Sequence, residues 1–319
     1  MIDKNIGFIG LGNLGKNLAN SIQVGDFNLF VHDLEKEKAN NLIKEGAKWC
    51  ENIKSLVDQC TVILTCLPSP KAISLVMESS NGLIDNINSK HLIIECSTTD
   101  EEELIRLSKL VKSKSASYID APLSGGEWRS KKGNISVLVS GHRESFNRAL
   151  PILKQIGYEI VYLGEKLGSA STVKALTNYL ASINLIAIGE VFMICKKYNL
   201  DLRAVYEAIR ISSGNSFVHT SEGQLILSRS FDAQFTMDLI CKDLCIVEKL
   251  RKKFNIPSDL IHLVESIFIE GKNILGNREF STAIIKLLEK KCGEELYSPN
   301  FPKQLIDKEP RRKGIEIKF

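Results

Sequence analysis

Lys174 and Asn178 stand four residues apart near the middle of the chain, in Gly168-Ser169-Ala170-Ser171-Thr172-Val173-Lys174-Ala175-Leu176-Thr177-Asn178. On a helix this spacing puts both side chains on one face. From Ala175 to Cys195 the chain is apolar nearly all round, interrupted by Thr177, Asn178, Ser182, Asn184 and Glu190. A helix of that composition is normally buried. A lysine at its start has two readings: an amine reaching from the helix end to water, or a functional amine.

Two further clusters bear on that choice. Gly10-Leu11-Gly12-Asn13-Leu14-Gly15 follows a short apolar run and precedes a helical pattern through Leu18, Ala19 and Ile22. This is G-x-G-x-x-G between strand and helix. Gly10 suits the tight turn, Gly12 lets a pyrophosphate approach the backbone, and Gly15 lets helix and strand pack closely. Asp33 ends the next strand pattern, at residues 27–32, where a ribose-binding carboxylate belongs. A carboxylate there accepts from the free ribose hydroxyls of NAD and repels the 2′-phosphate of NADP. NAD is therefore the expected cofactor and NADP the alternative. The other reading of Asp33 is a helix-starting turn residue. The second cluster, Ser124-Gly125-Gly126, closes the loop Asp120-Ala121-Pro122-Leu123. Its hydroxyl and open backbone N–H groups suit a carboxylate, and an ordinary glycine turn is the other reading.

These residues need elements to position them. Apolar strand patterns at 62–67, 92–96, 117–120 and 136–141 alternate with helical ones. That alternation predicts an α/β fold with a doubly wound parallel sheet of Rossmann type. Ligands bind such sheets beyond the strands' carboxyl ends, where Pro68, Thr98 and the 120–126 loop fall. Gly164-Glu165-Lys166-Leu167-Gly168 reads as a junction, after which strand patterns stop. Helical patterns cover 171–198, 202–212, 224–228, 236–254, 259–271 and 282–295. The expected domains are a dinucleotide-binding domain at 1–164, an all-helical substrate and dimerisation domain at 165–295, and a tail at 296–319. The tail carries three of the eight prolines and Arg311-Arg312-Lys313, and reads as disordered or wrapped on a partner subunit.

Composition bounds the partners. The 319 residues are 44% apolar and 25% charged. Lys plus Arg number 42 against 38 acids, a net charge of +4, too small an excess to argue for nucleic acid. The eight cysteines form no C-x-x-C pair and read as reduced residues of a cytoplasmic protein. Cys241 and Cys245 share i, i+4 spacing but have no matching second pair, so no metal site is expected. The run 6–11 is short and broken by glycine, unlike a signal peptide. Glu190 and the polar positions around it argue against a membrane span over 176–195. So apolar a helical domain implies a homodimer or homotetramer.

Four motifs in order resemble the β-hydroxyacid dehydrogenases, in particular the 3-hydroxyisobutyrate dehydrogenase branch, which is similar to 6-phosphogluconate dehydrogenase. The 6–15 stretch resembles the cofactor signature and 120–126 the substrate signature. The 164–178 stretch resembles the catalytic signature, whose lysine and asparagine fall on Lys174 and Asn178. Lys242-Asp243-Leu244 resembles the later signature whose lysine lies beside nicotinamide and substrate. Leu67, Pro68, Ser97 and Thr98 fall where that family touches cofactor. The resemblance implies hydride transfer between a nicotinamide dinucleotide and a small, carboxylate-bearing β-hydroxyacid. Ser124, Gly125 and Gly126 would seat the carboxylate and Lys174 would act as general base, its pKa lowered by desolvation and by Lys242. Asn178 would orient the lysine or the substrate oxygen.

The chain departs from the family's pattern at Glu127-Trp128-Arg129-Ser130-Lys131-Lys132, where small residues usually precede the next glycine. Trp128 and Arg129 are expected to narrow or recharge the pocket. Thr177 stands where a 6-phosphogluconate enzyme would carry histidine, which disfavours that substrate. The rival readings are an NADPH-dependent reductase of a small semialdehyde (glyoxylate, succinic or tartronate semialdehyde), an imine reductase, disfavoured by Lys174, and a dinucleotide-binding module without catalysis.

Overall fold

A computed structural model of the chain describes residues 4–319. It divides into two compact units: the residues up to Lys174 together with Asp307–Phe319, and Ala175–Ile306.

In the first unit the apolar runs become strands β1 (Asn5–Ile9), β2 (Asn28–His32), β3 (Lys48–Trp49), β4 (Val62–Thr65), β5 (Leu92–Glu95) and β6 (Ser117–Asp120). They pair in parallel in the order β3-β2-β1-β4-β5-β6. β4 and β5 are buried at every position, as a sheet covered on both faces requires. The order reverses between β1 and β4, and that switch point is where such sheets bind dinucleotides.

The connecting helices are α1 (Asn13–Gln23), α2 (Asn40–Lys44), α3 (Ile53–Val57), α4 (Pro70–Glu78), α5 (Leu83–Asn86) and α6 (Glu101–Ser113). The acidic start of α6 is capped by Asp100, whose side chain accepts from the Glu103 N–H. After β6 come β7 (Leu123–Ser124), α7 (Glu127–Ser130), β8 (Ile135–Val139), α8 (Arg143–Ile156) and β9 (Gly157–Tyr162).

The last strand pattern, at 136–141, does not extend the parallel sheet. β7, β8 and β9 form a second sheet in which β7 runs antiparallel to β8. The reversal occurs at Gly125 and Gly126, whose φ values of 122° and 82° belong to glycine. The sheet's fourth strand is β10 (Ile315–Ile317), parallel to β9. The 296–319 stretch is therefore not a loose tail, since its last thirteen residues are part of the first unit. Its prolines and charges hid a three-residue strand that pattern alone does not reveal.

The long apolar stretch forms α9 (Ser169–Lys197), which carries residues of both units. The first unit runs past the Gly164 junction through Lys174, because the first turn of α9 is hydrogen-bonded to β6. In the second unit follow α10 (Leu202–Arg210), α11 (Phe217–Thr220), α12 (Glu222–Leu227), α13 (Met237–Lys253), α14 (Asp259–Leu275) and α15 (Ile285–Cys292). Their core gathers Leu185, Phe192, Leu244, Val264 and Phe268. Contrary to expectation, α9 is not buried all round within the chain: Leu180 is 58% and Ile194 68% exposed. It is the one helix among the described residues long and apolar enough to cross a membrane.

Candidate active site

The glycine turn connects β1 to α1 at the switch point. A Cβ on Gly15 would collide with the Gly10 carbonyl, so Gly15 is required by packing. At Gly12 a Cβ would meet nothing within 4 Å. Packing within the protein therefore does not demand that glycine, whereas the close approach of a phosphate does. Gly12 also begins α1 without a side-chain cap, and no acidic residue occupies the first turn. These N–H groups suit a pyrophosphate, so the residues present fit a dinucleotide.

Asp33 sits across from this turn. Its Oδ2 accepts from the Leu11 N–H at 2.7 Å and its Oδ1 from the Glu35 N–H at 3.0 Å, with Lys38 Nζ at 3.5 Å. Asp33 thus fixes the turn as well as offering a carboxylate. The neighbouring loop is braced too: Leu67 N–H donates to Ser97 Oγ at 2.7 Å, and Ser97 N–H to Glu95 Oε1 at 2.9 Å. Glu95 is fully buried, and its Oε2 has no hydrogen-bond partner. Burial pushes its carboxyl up to about 7.

Asp120 joins two of the expected site stretches. This buried residue ends β6 and opens the loop to Ser124-Gly125-Gly126. Its carboxylate accepts from Ser171 N–H at 2.9 Å, Ser171 Oγ at 2.7 Å and Ser140 Oγ at 3.2 Å. The Ala170 N–H donates to Ser140 Oγ at 3.1 Å. The start of the helix bearing Lys174 is thereby bonded to the strand that feeds the Ser124–Gly126 loop. Desolvation holds the Asp120 carboxyl up, to about 6, against the lowering effect of its Ser171 and Ser140 bonds. The Ser124–Gly126 turn has the departing residues at its back. A Cβ on Gly126 would lie 3.0 Å from the Trp128 indole nitrogen, and one on Gly125 would lie 3.4 Å from Arg129 Cδ. Arg129 Nε is buried without a hydrogen-bond partner.

In the second unit Asn178 Nδ2 donates to Asp243 Oδ2 at 2.6 Å. Lys242 Nζ stands 3.5 Å from Asp243 Oδ1. That distance is an ion pair and not a hydrogen bond, and Oδ1 has no hydrogen-bond partner. Asp243 is buried, so it holds Asn178 and Lys242 on one carboxylate.

The family described as the NAD binding domain of 6-phosphogluconate dehydrogenase matches residues 5–164, and that described as the NAD-binding of NADP-dependent 3-hydroxyisobutyrate dehydrogenase matches residues 168–288. The chain belongs to the β-hydroxyacid dehydrogenases. It is an NAD(P)-dependent oxidoreductase. Among relatives, the chain is 28% identical over 289 residues to 2-(hydroxymethyl)glutarate dehydrogenase of Eubacterium barkeri, covering 90% of this chain and 96% of that protein. It is 26% identical over 286 residues to L-threonate dehydrogenase of Cupriavidus necator, at 90% and 96% coverage. A solved structure described as Psf3 in complex with NADP+ and 2-OPP superposes with a TM-score of 0.80 at 25% identity, covering 89% of this chain and 99% of that one.

In this β-hydroxyacid dehydrogenase, sequence reasoning had named the glycine turn, Asp33, the Ser-Gly-Gly loop, Lys174, Asn178 and Lys242. It missed Ser140 and Glu95, the bracing bonds of Ser97 and Ser171, and the carboxylates of Asp120 and Asp243 as bond acceptors. Asp120 and Asp243 lay inside quoted motifs, which was the available signal. Ser171 lay inside one as well; Ser140 has no such signal, because its role depends on meeting Asp120 and Ala170, 20 and 30 residues away in the chain.

Proposed function

We propose that the protein oxidises the CH–OH group of a small β-hydroxyacid, with Lys174 as general base and, in reverse, general acid. The observation that carries this reading is the Asp120–Ser171 bond pair, which ties the start of the Lys174 helix to the strand feeding the Ser124–Gly126 turn. The turn takes the substrate carboxylate on the Ser124 hydroxyl and on backbone N–H groups. Lys174 removes the hydroxyl proton as the carbinol C–H is lost and the carbonyl forms. The bound dinucleotide supplies the hydride acceptor. Asn178, held by Asp243, orients the lysine or the substrate oxygen, and Lys242, on the same carboxylate, serves substrate and nicotinamide.

NAD is the proposed cofactor, because Asp33 presents a carboxylate where a 2′-phosphate would otherwise sit. A second reading, an NADPH-dependent semialdehyde reductase, is favoured by the likeness to a structure solved with NADP+. The same residues run in reverse would serve it. The names of the relatives, a hydroxymethylglutarate and a threonate dehydrogenase, support a hydroxyacid as substrate. The exposed apolar residues of α9 support a homodimer or homotetramer, testable by light scattering. A cytosolic setting suits eight cysteines that are all free.

The deciding experiment compares wild type with Lys174→Ala on a panel of β-hydroxyacids, with NAD and NADP in parallel. The variant is expected to bind dinucleotide normally and to lose about a thousandfold or more in kcat. Wild-type turnover in the variant would remove Lys174 from the chemistry.

A further inference from the structure

The 307–319 segment lies beyond both matched families, which end at residue 288, yet it is part of the first unit. β10 extends the second sheet, pairing Ile315 with Glu159 and Ile317 with Val161. Gly314 passes so close to α8 and β9 that a Cβ would stand 2.5 Å from the Gly157 oxygen and from Lys154 Cα. The Arg311 guanidinium donates to the carbonyls of Ser21 and Gln155, each at 3.0 Å. These are carbonyls of the last turns of α1 and α8, where a helix runs out of partners of its own. Arg143 closes an ion pair with Glu316 at 2.9 Å.

The strap's central partner is Asn134, which is fully buried. Its amide nitrogen donates to Asp307 Oδ2 at 2.8 Å and to the Pro310 carbonyl at 3.1 Å. Its amide oxygen accepts from the Arg312 N–H at 3.0 Å. Both donors and the acceptor of this side chain are thus spent on the strap. Asn134 also closes the turn after α7, its N–H donating to the Arg129 carbonyl at 3.1 Å, with Gly133 N–H on the Ser130 carbonyl at 3.0 Å. Ser130 Oγ accepts from Asn17 Nδ2 of α1 at 3.0 Å, and the Ser130 N–H reaches back to the Gly126 carbonyl at 3.4 Å. An unbroken run of bonds leads from the strap to the last glycine of the Ser-Gly-Gly turn.

We infer that Asn134, clamped by the 307–319 strap, is a positioning residue for the Ser124–Gly126 turn. The strap sets where residues 127–134 lie against α1, and so governs how well the turn binds a carboxylate and not how fast the hydride moves. This rests on the reading of that turn as the carboxylate seat. Without the strap water takes the place of its three side-chain partners, and the 127–134 turn loses the anchor that fixes it.

The test compares the full chain with a chain ending at Ile306, with and without a synthetic peptide of residues 305–319. Without the strap, amides of residues 126–134 are expected to exchange about tenfold faster, while those of β1, β4 and β5 stay unchanged. KM for the best hydroxyacid rises about fivefold, with kcat and dinucleotide affinity within about twofold, and the peptide reverses both effects. Unchanged exchange at 126–134, equal acceleration throughout both sheets, or a constant KM beside faster loop exchange would each overturn the assignment. Should the shortened chain not fold, Gly314→Val, which expels the strap by backbone collision, is measured the same way. If the intact protein oxidises no hydroxyacid, the functional reading fails alone, and the exchange and peptide measurements still decide whether the strap holds the turn.

Discussion

Ser171→Ala tests whether the start of α9 is held by a buried charge. The substitution removes one oxygen, and with it the 2.7 Å bond to Asp120 Oδ1. The carboxylate keeps the Ser171 N–H and the weaker Ser140 hydroxyl. A hydrogen bond to a buried charge contributes about 2 kcal/mol, and one to a neutral carboxyl about 1 kcal/mol. The loss therefore depends on the protonation state of Asp120. Its folded pKa, about 6, lies above the ordinary 3.8. The sign follows: its contribution to stability is fully present below 3.8 and is lost as pH rises through about 6, a change of about 3 kcal/mol. The Ser171 hydroxyl restrains this loss, so removing it pushes the carboxyl higher and steepens the decline. Ser171→Ala is expected to cost about 1 kcal/mol near pH 5 and about 2 kcal/mol near pH 8. Hydrogen exchange at the β6 amides in a urea series reads this in the first unit alone. Activity should fall too, about tenfold in kcat, because Lys174 follows one turn after the lost anchor. Ser171→Thr, which keeps the hydroxyl, should restore most of both. An equal loss at both pH values, or a threonine variant no better than alanine, would refute the reasoning.

Other expectations follow from the same site. Glu95→Gln replaces a buried carboxyl whose pKa is raised from 4.5 to about 7, so its stability relative to wild type should be unchanged near pH 4.5 and about 3 kcal/mol higher near pH 8, measured by urea unfolding. A gain that does not grow with pH would count against the assignment. Asp33→Asn keeps an acceptor for the Leu11 N–H but drops the charge; the ratio of kcat/KM for NAD over NADP should fall about tenfold, and an unchanged ratio would deny Asp33 a role in cofactor choice. Arg129→Gln removes a cation packed behind Gly125. KM for substrates with a second carboxylate should rise about tenfold while that for monocarboxylates holds, and equal effects on both would show that Arg129 acts only by packing.

The glycine turn, Asp33, the Ser-Gly-Gly loop, Lys174 and Asn178 could be named from the sequence as candidates because the roles proposed for them depend on short spacings. A turn, a helix face and a strand end are each fixed by residues within a few positions of one another. The parallel sheet was legible for the same reason, since each buried strand is a continuous apolar run. Tertiary structure decided what no local pattern carries. Asp120 meets Ser171 only because β6 and α9 come together after 51 residues of chain, and Asn134 meets Asp307 across 173. It also decided that the apolar α9 is partly exposed within the chain and that a charged, proline-bearing end becomes a strand. In each case the outcome rests on which buried polar groups find partners. Those partners are supplied by distant segments, and the requirement that they be satisfied is a property of the packed interior and not of any stretch of sequence.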